Sequence, residues 1–184
     1  MRILRPGLIL LAVQLILVSS VAGKYLYERQ TCPRVWNRAT QFDPNLPLRG
    51  RYLALQLMLD SCDMPHDKAH VLPGYSPGGK WWQWKVSLSA INGKLVPNLA
   101  ETPMSISAPV RSTETLTLPP NTPCKRATLN TETMLFIPDR ARSPLPLKPG
   151  QDLWVEVTLP PSGPPRAIQI AISGADGFRP LKFD

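Results

Sequence analysis

The sequence predicts an all-β fold, an antiparallel sandwich or a partly open barrel, preceded by one N-terminal transmembrane helix. First, apolar and polar side chains alternate in several short segments, which is the pattern of strands with one buried face. Second, 22 prolines are scattered through the 184 residues, and proline suits the loops and edges of a β domain. Third, the segment that suits a long helix is the apolar run near the N-terminus. Together these features favour roughly eight antiparallel strands.

The N-terminal run, residues 7–23, follows two arginines and is either a cleaved signal peptide or an uncleaved anchor. The small side chains at 20–22 are of the kind that a signal peptidase accepts. Lys24, Tyr25 and Tyr27 instead extend the run with a cation and two aromatic rings that suit a membrane interface, which brings it to the ~20 residues that cross a bilayer. The pattern of this segment by itself leaves both alternatives open.

Two strand candidates follow the apolar run. The polar stretch 30–41 is consistent with a first strand that leads away from the bilayer. A turn at Asp43-Pro44 comes next, because the residue before a proline is held in extended conformations. Gly50 then leads into a strand that ends near Asp60 and carries leucine at alternate positions: Leu53, Leu55, Leu57 and Leu59.

The most specific local signal is a β-hairpin near the middle of the chain. Residues 61–80 contain three prolines and a glycine pair and are predicted to form a loop. Residues 81–90 then alternate as a strand, and Asn92-Gly93 suits the positive backbone angles of a tight hairpin turn. The returning strand is expected to run from 94 to 96, where Pro97 interrupts it.

Four more strands are predicted in the second half of the chain: residues 115–118, 128–137, 153–159 and 168–172. The last two are joined by the proline-rich connector 160–165, which cannot extend either ladder and therefore predicts a hairpin with a stiff loop. Gly174 and Gly177 frame a final turn before Phe178.

The strand that begins at Gly50 carries a short motif. Gly50, Arg51, Tyr52, Leu55 and Leu57 align with the motif G-D-Y-x-x-L-x-Y, and three of these five positions fit it. In this respect the chain resembles the bacterial membrane-anchored GDYXXLXY family. The later stretches 136–139, 152–157 and 163–166 look like the closing strands of that family, so the resemblance covers most of the chain.

The resemblance implies a place and a fold rather than a reaction, because no activity is established for the family. It singles out Arg49, Gly50, Tyr52 and Leu55 as family-motif residues. Arg51 replaces the Asp of the motif, and a leucine replaces its second Tyr, so no role that depends on those two groups carries over. We therefore interpret the motif as the entry of a strand.

Members of the family keep one N-terminal helix, which favours the anchor over the cleaved peptide. The resemblance implies a cytoplasmic tail at 1–6, a transmembrane signal-anchor helix at 7–27 and an extracytoplasmic β domain at 28–184. The count of flanking basic residues leans the other way, but long downstream domains translocate largely regardless of such charges. The expected location is the bacterial inner membrane, with a single pass and the C-terminal domain in the periplasm.

The cysteines and histidines give two candidate sites. Cys32, Cys62 and Cys124 allow three single pairings in an oxidising compartment, and we prefer Cys62 with Cys124 because each flanks a predicted strand. Cys62, His66 and His70 are spaced by four residues, which on a helix would place three metal ligands on one face. Two nearby prolines oppose a helix, and the sequence brings no fourth ligand, so we predict no metal and no cofactor.

Other chemistry finds little support in the sequence. The chain lacks a G-x-S-x-G nucleophile motif and a phosphate-binding glycine loop, so no catalytic residue is predicted. Trp82 and Trp84 fall on the apolar face of their strand, whereas Trp81 lies on the other face and is a candidate ligand contact. The net charge of +8 is dispersed, which favours a solvated surface over nucleic-acid binding.

Two functions remain as hypotheses. The first is a non-enzymatic, membrane-anchored β domain that contacts the lipid bilayer through its helix and serves a polytopic membrane protein of the envelope as an accessory or partner. The alternative is a cell-envelope hydrolase or carbohydrate-binding domain that uses Trp81 and the loop histidines.

Overall fold

The structure is a computed structural model that describes residues 4–41, 52–73, 79–100, 113–138 and 145–183. The prediction of an all-β domain preceded by one helix is confirmed. The chain divides into two compact units, Met1–Cys32 and Pro33–Asp184, and the first consists of helix α1 (Leu4–Thr31). Within it, Gly7–Thr31 contains an 18-residue window with a mean hydropathy of 1.9 and no buried residues, so by length and composition this stretch could cross a membrane.

In its described residues, the second unit contains one antiparallel sheet of ten strands that does not close into a barrel. Its strands are β1 (Arg34–Gln41), β2 (Tyr52–Leu59), β3 (His70–Pro73), β4 (Lys80–Ile91), β5 (Lys94–Leu99), β6 (Glu114–Leu118), β7 (Ala127–Phe136), β8 (Asp152–Thr158), β9 (Arg166–Gly174) and β10 (Gly177–Pro180). They are arranged in the order β10-β9-β8-β1-β2-β7-β6-β4-β3, and β5 pairs with β4.

The sheet folds over itself and encloses the core between its two halves. β9 lies against β7, and β5 lies against β1 and β2, although none of these strands are hydrogen-bonded neighbours. The alternating positions of the central strands meet in this interior, which removes their apolar surface from water and supplies most of the driving force for folding. Its fully buried side chains include Leu55, Leu57, Trp84, Val86, Leu116, Leu129, Leu153, Val155, Val157 and Ile170.

The predicted strands are present, and the structure defines where the first helix ends and the first strand begins. Helix α1 continues past the predicted segment to Thr31, and β1 begins three residues later at Arg34. Where β1 separates from β2, the side-chain amide of Asn37 donates to the backbone carbonyl of Met58 at 2.7 Å. This bond links β1 to β2 outside their registered pairs and satisfies a buried polar group.

The predicted hairpin is confirmed, and it is longer than the sequence indicates. Asn92 and Gly93 both have positive φ, of 51° and 72°, as a tight hairpin turn requires. β5 does not end at Pro97 but continues to Leu99, with Pro97 opposite Leu88. The expectation of an interruption is wrong because β5 pairs on one side only, and a proline whose position needs no N–H donor is tolerated in such a strand.

Two strands lie where the sequence predicts loops or turns. β3 (His70–Pro73) lies within the predicted loop 61–80 and pairs with β4 from Gln83 to Lys80. β10 follows the predicted turn between Gly174 and Gly177 and pairs with β9. Both are strands of four residues, too short for an alternating pattern, and their conformation depends on the neighbouring strand.

The long strand β4 has different partners along its two edges. β6 pairs with residues 82–86 on one edge. On the opposite edge β3 pairs with residues 80–83 and β5 with residues 86–91. In the described residues the two short strands therefore lie end to end and leave a gap opposite Trp84.

Candidate functional site

The family-motif strand has a buried face and an exposed face. Leu55 and Leu57 are fully buried, which agrees with their interpretation as core residues. Tyr52, the first residue of β2, points the other way and is 48% exposed. Arg49, Gly50 and Arg51 lie outside the described residues.

Tyr52 belongs to an exposed apolar surface that we call the Tyr52 patch, formed by Tyr52, Met134 and Phe136. Tyr52 and Phe136 are opposite each other across β2 and β7, and their rings meet edge to face with centroids 5.4 Å apart. Met134 and Phe136 are 60% and 58% exposed. Exposed side chains of this size, grouped on one face, are typical of a surface that contacts another molecule.

Cys62 and Cys124, the preferred pair, are joined by a disulfide with a Cα–Cα distance of 4.9 Å. It links the end of β2 to the start of β7 across 62 positions of the chain. Beside it, the backbone N–H and the hydroxyl of Ser61 both donate to the carbonyl of Cys124, at 2.9 and 2.8 Å. Cys32 is a free thiol.

The structure does not assemble the candidate metal ligands Cys62, His66 and His70. The sulfur of Cys62 is in the disulfide and is no longer a thiolate ligand. His66 is in a short 3-10 helix, His66–Lys68, whereas His70 begins β3, so the two do not share a helical face. Asp60 approaches the sulfurs of both bonded cysteines, but neither sulfur has the charge that attracts a cation.

The tryptophans of β4 differ in their surroundings. Trp84 is 1% exposed, and its indole N–H donates to the carbonyl of Pro65 at 2.9 Å. Trp82 is half-buried against the core, and its ring meets His66 edge to face at 4.7 Å. Trp81 is half-buried and lies opposite Leu72 of β3. His66 contacts the indole rings of Trp82 and Trp84, and an indole ring is not a nucleophile that a histidine base activates.

An aromatic cluster covers the outer face of β1, β8 and β10, and no pattern in the sequence predicts it. The ring of Phe178 meets Trp36 at 5.0 Å and Trp154 at 6.0 Å, both edge to face. The guanidinium of Arg38 lies 5.5 Å from the centre of the Trp154 ring and pairs with Asp152 at 3.3 Å. These residues are distant in sequence, so only the order of the strands brings them together.

A cleft of about 600 Å³ opens at the gap along β4. Its walls carry three basic side chains, two neutral polar ones and three apolar residues: Lys68, His70, Lys85, Gln83, Thr115, Trp84, Leu99 and Ala100. No carboxylate is among these residues. The sequence offers His70 as a weak metal-ligand candidate and does not connect it with Lys85, because the two line one cleft only when β3 pairs with β4.

No family model, no curated protein and no solved structure matches this chain at the level of significance that would support a relationship. The resemblance to the GDYXXLXY family therefore depends on the motif residues alone and remains a prediction.

Proposed function

We propose that this protein is a membrane-anchored β domain, located outside the bacterial cytoplasm, that acts without catalysis as a partner of a polytopic envelope membrane protein. The observation that carries the proposal is the direct succession of an apolar helix and a β domain. Helix α1 ends at Thr31 and β1 begins at Arg34. Only Cys32 and Pro33 lie between these two elements, so the first strand starts close to the end of the anchor in sequence.

The disulfide supports a location outside the cytoplasm. Disulfides persist in oxidising compartments such as the bacterial periplasm and are rare in the reducing cytoplasm. The bond between Cys62 and Cys124 joins two strands of the core sheet, so it is part of the folded domain rather than an attachment at its edge.

The Tyr52 patch is the surface that we assign to the partner. Strand β1 spans about 26 Å at ~3.3 Å per residue, and Tyr52 lies beyond its far end because Gln41 pairs with Leu55. The exposed rings suit an interface with aromatic anchors, such as one formed with a folded loop or domain of a membrane protein.

Site-specific photocrosslinking in the native host tests the proposal. A photoreactive amino acid at Met134 or Phe136 should capture one integral membrane protein, and Tyr52→Ser should reduce the capture. The same group at Lys125, an exposed residue outside the patch, is the matched control. Equal capture from Lys125, or products that contain no membrane protein, would rule out this assignment. Protease protection in spheroplasts tests the location separately, since an extracytoplasmic domain is digested.

One observation favours the alternative of a carbohydrate-binding domain. Phe178, 49% exposed, stands with Trp36 and Trp154 on an outer sheet face, and aromatic faces stack on sugar rings. If this alternative is correct, envelope glycans bind to the full chain, and Phe178→Ala or Trp81→Ala weakens the binding. A glycan array without any bound sugar would exclude it.

A further inference from the structure

The cleft at the gap of β4 is built by the sheet itself. In the described residues β3 and β5 share one edge of β4 without meeting: Trp84 has no registered partner on that side, and the carbonyl of Lys85 accepts the backbone N–H of Ala100 at 2.9 Å, just past the end of β5. Side chains from the ends of both short strands and from the 3-10 helix surround this opening. Its volume of about 600 Å³ is in the range of small-molecule sites, which are commonly ~300–1,000 Å³.

The charge of the cleft has one sign. Lys68, His70 and Lys85 line it, and all three side chains are exposed. In the described part of the chain, none of the three forms an ion pair with a carboxylate. The two lysines are cations, and because no carboxylate of the described residues pairs with them, they produce a positive potential that attracts anions.

The polar groups beside these cations suit a small oxyanion. His70 lies opposite Gln83, and Lys85 lies opposite Thr115, so the four side chains occupy neighbouring positions on one face, with Cβ atoms of opposite residues ~5 Å apart. Thr115 offers a hydroxyl and Gln83 an amide beside the ammonium groups. The lysine ammonium is a compact charge that binds phosphate well, whereas planar carboxylates are bound best by the two parallel N–H donors of an arginine guanidinium.

The other residues that line the cleft are apolar: Trp84, Leu99 and Ala100. Leu99 and Ala100 are half-buried, whereas the side chain of Trp84 is 1% exposed and belongs to the core. Apolar lining together with a few convergent charges is typical of a site that binds an organic ligand with an anionic end.

We propose that this cleft binds the phosphoryl group of a small organic ligand, with Lys68 and Lys85 neutralising the phosphate. The site goes beyond the proposed partner function and lies on other strands than the Tyr52 patch. Two kinds of molecule carry such a phosphoryl group: a soluble phosphate monoester and a lipid with a phosphodiester headgroup.

Titrations of the full chain in non-ionic detergent micelles at constant ionic strength test the proposal. The probes are glycerol 3-phosphate as the monoester, dihexanoyl phosphatidylglycerol as the diester, and acetate as the control anion. Amide chemical shifts of Lys68, His70, Lys85 and Ala100 should saturate with one of the phosphates. The double variant Lys68→Gln/Lys85→Gln should weaken binding by about tenfold or more, which corresponds to ~1.4 kcal/mol.

A matched control removes the same charge elsewhere. Lys125→Gln/Arg126→Gln lowers the net charge equally at two exposed residues outside the cleft and should leave the affinity within about twofold. Saturation by the monoester or by the diester supports the site and identifies its source. Shifts that do not saturate, an equal response to acetate, or equal weakening by both double variants would overturn it. Crosslinking from Met134 in the Lys68→Gln/Lys85→Gln variant should remain intact, so failure of one proposal does not imply failure of the other.

Discussion

Removal of the disulfide should destabilise the β domain strongly, because the bond closes a long loop. Cys62 and Cys124 are 62 positions apart, and a crosslink over such a loop restricts the unfolded chain by about 4 kcal/mol in the chain-entropy relation. The two hydrogen bonds from Ser61 to the carbonyl of Cys124 hold the same strand ends together and remain when the sulfurs are replaced. We therefore expect Cys62→Ser/Cys124→Ser to lower the free energy of unfolding by about 2–4 kcal/mol.

Denaturant unfolding of the full chain in micelles measures this loss. All five tryptophans lie in residues 33–184, so their fluorescence reports on the β domain without a contribution from helix α1. Reduced wild-type protein should unfold at the same denaturant concentration as the double serine variant. Cys32→Ser is the matched control, because Cys32 is a free thiol and its replacement removes no crosslink.

Two results would refute this reasoning. The first is a double variant whose unfolding free energy lies within about 0.5 kcal/mol of wild type, the range of an ordinary surface substitution. The second is an equal loss in Cys32→Ser, which would assign the effect to a different pairing of the three cysteines.

Three further predictions concern single contacts. Trp84→Phe removes the indole N–H that bonds the carbonyl of Pro65, and denaturant unfolding should show a loss of about 1–3 kcal/mol, larger than for Trp82→Phe at a half-buried position. Asn37→Ala leaves a β2 carbonyl without its donor and should also cost about 1–3 kcal/mol by thermal or chemical unfolding. Phe178→Ala removes the ring that packs β10 against Trp36 and Trp154. Amide hydrogen exchange in β10 should therefore accelerate about tenfold, while the central strands keep their protection.

The parts of the fold that the sequence predicts are those with a local cause. The leucines at 53, 55, 57 and 59 alternate because one face of β2 is buried, and that pattern is visible without knowledge of any partner strand. The turn at Asn92-Gly93 is equally local, because the positive φ angles at its two positions favour asparagine and glycine over other residues.

The parts that the sequence does not predict depend on pairing between distant segments. β1 lies between β2 and β8, which starts more than a hundred residues later, and no local pattern encodes that neighbour. The same is true of the candidate surfaces. Trp36 meets Phe178 only through the order of four strands. Lys85 and His70 line one cleft only because a short strand with a terminal proline joins the edge of β4. Patterns shorter than about five residues carry too little signal to reveal such a strand.

In β2, the strand that carries the family motif, some positions are explained by folding and one is not. Leu55 and Leu57 are fully buried, so folding alone explains why these positions are apolar. Tyr52 is different, because about half of its side chain faces solvent and its ring contact is with Phe136, which is itself exposed. The core therefore does not require an aromatic ring at position 52. If binding requires it, Tyr52→Ser should weaken partner capture while the free energy of unfolding changes by less than ~1 kcal/mol, whereas a loss of both together would mean that the ring stabilises the start of β2.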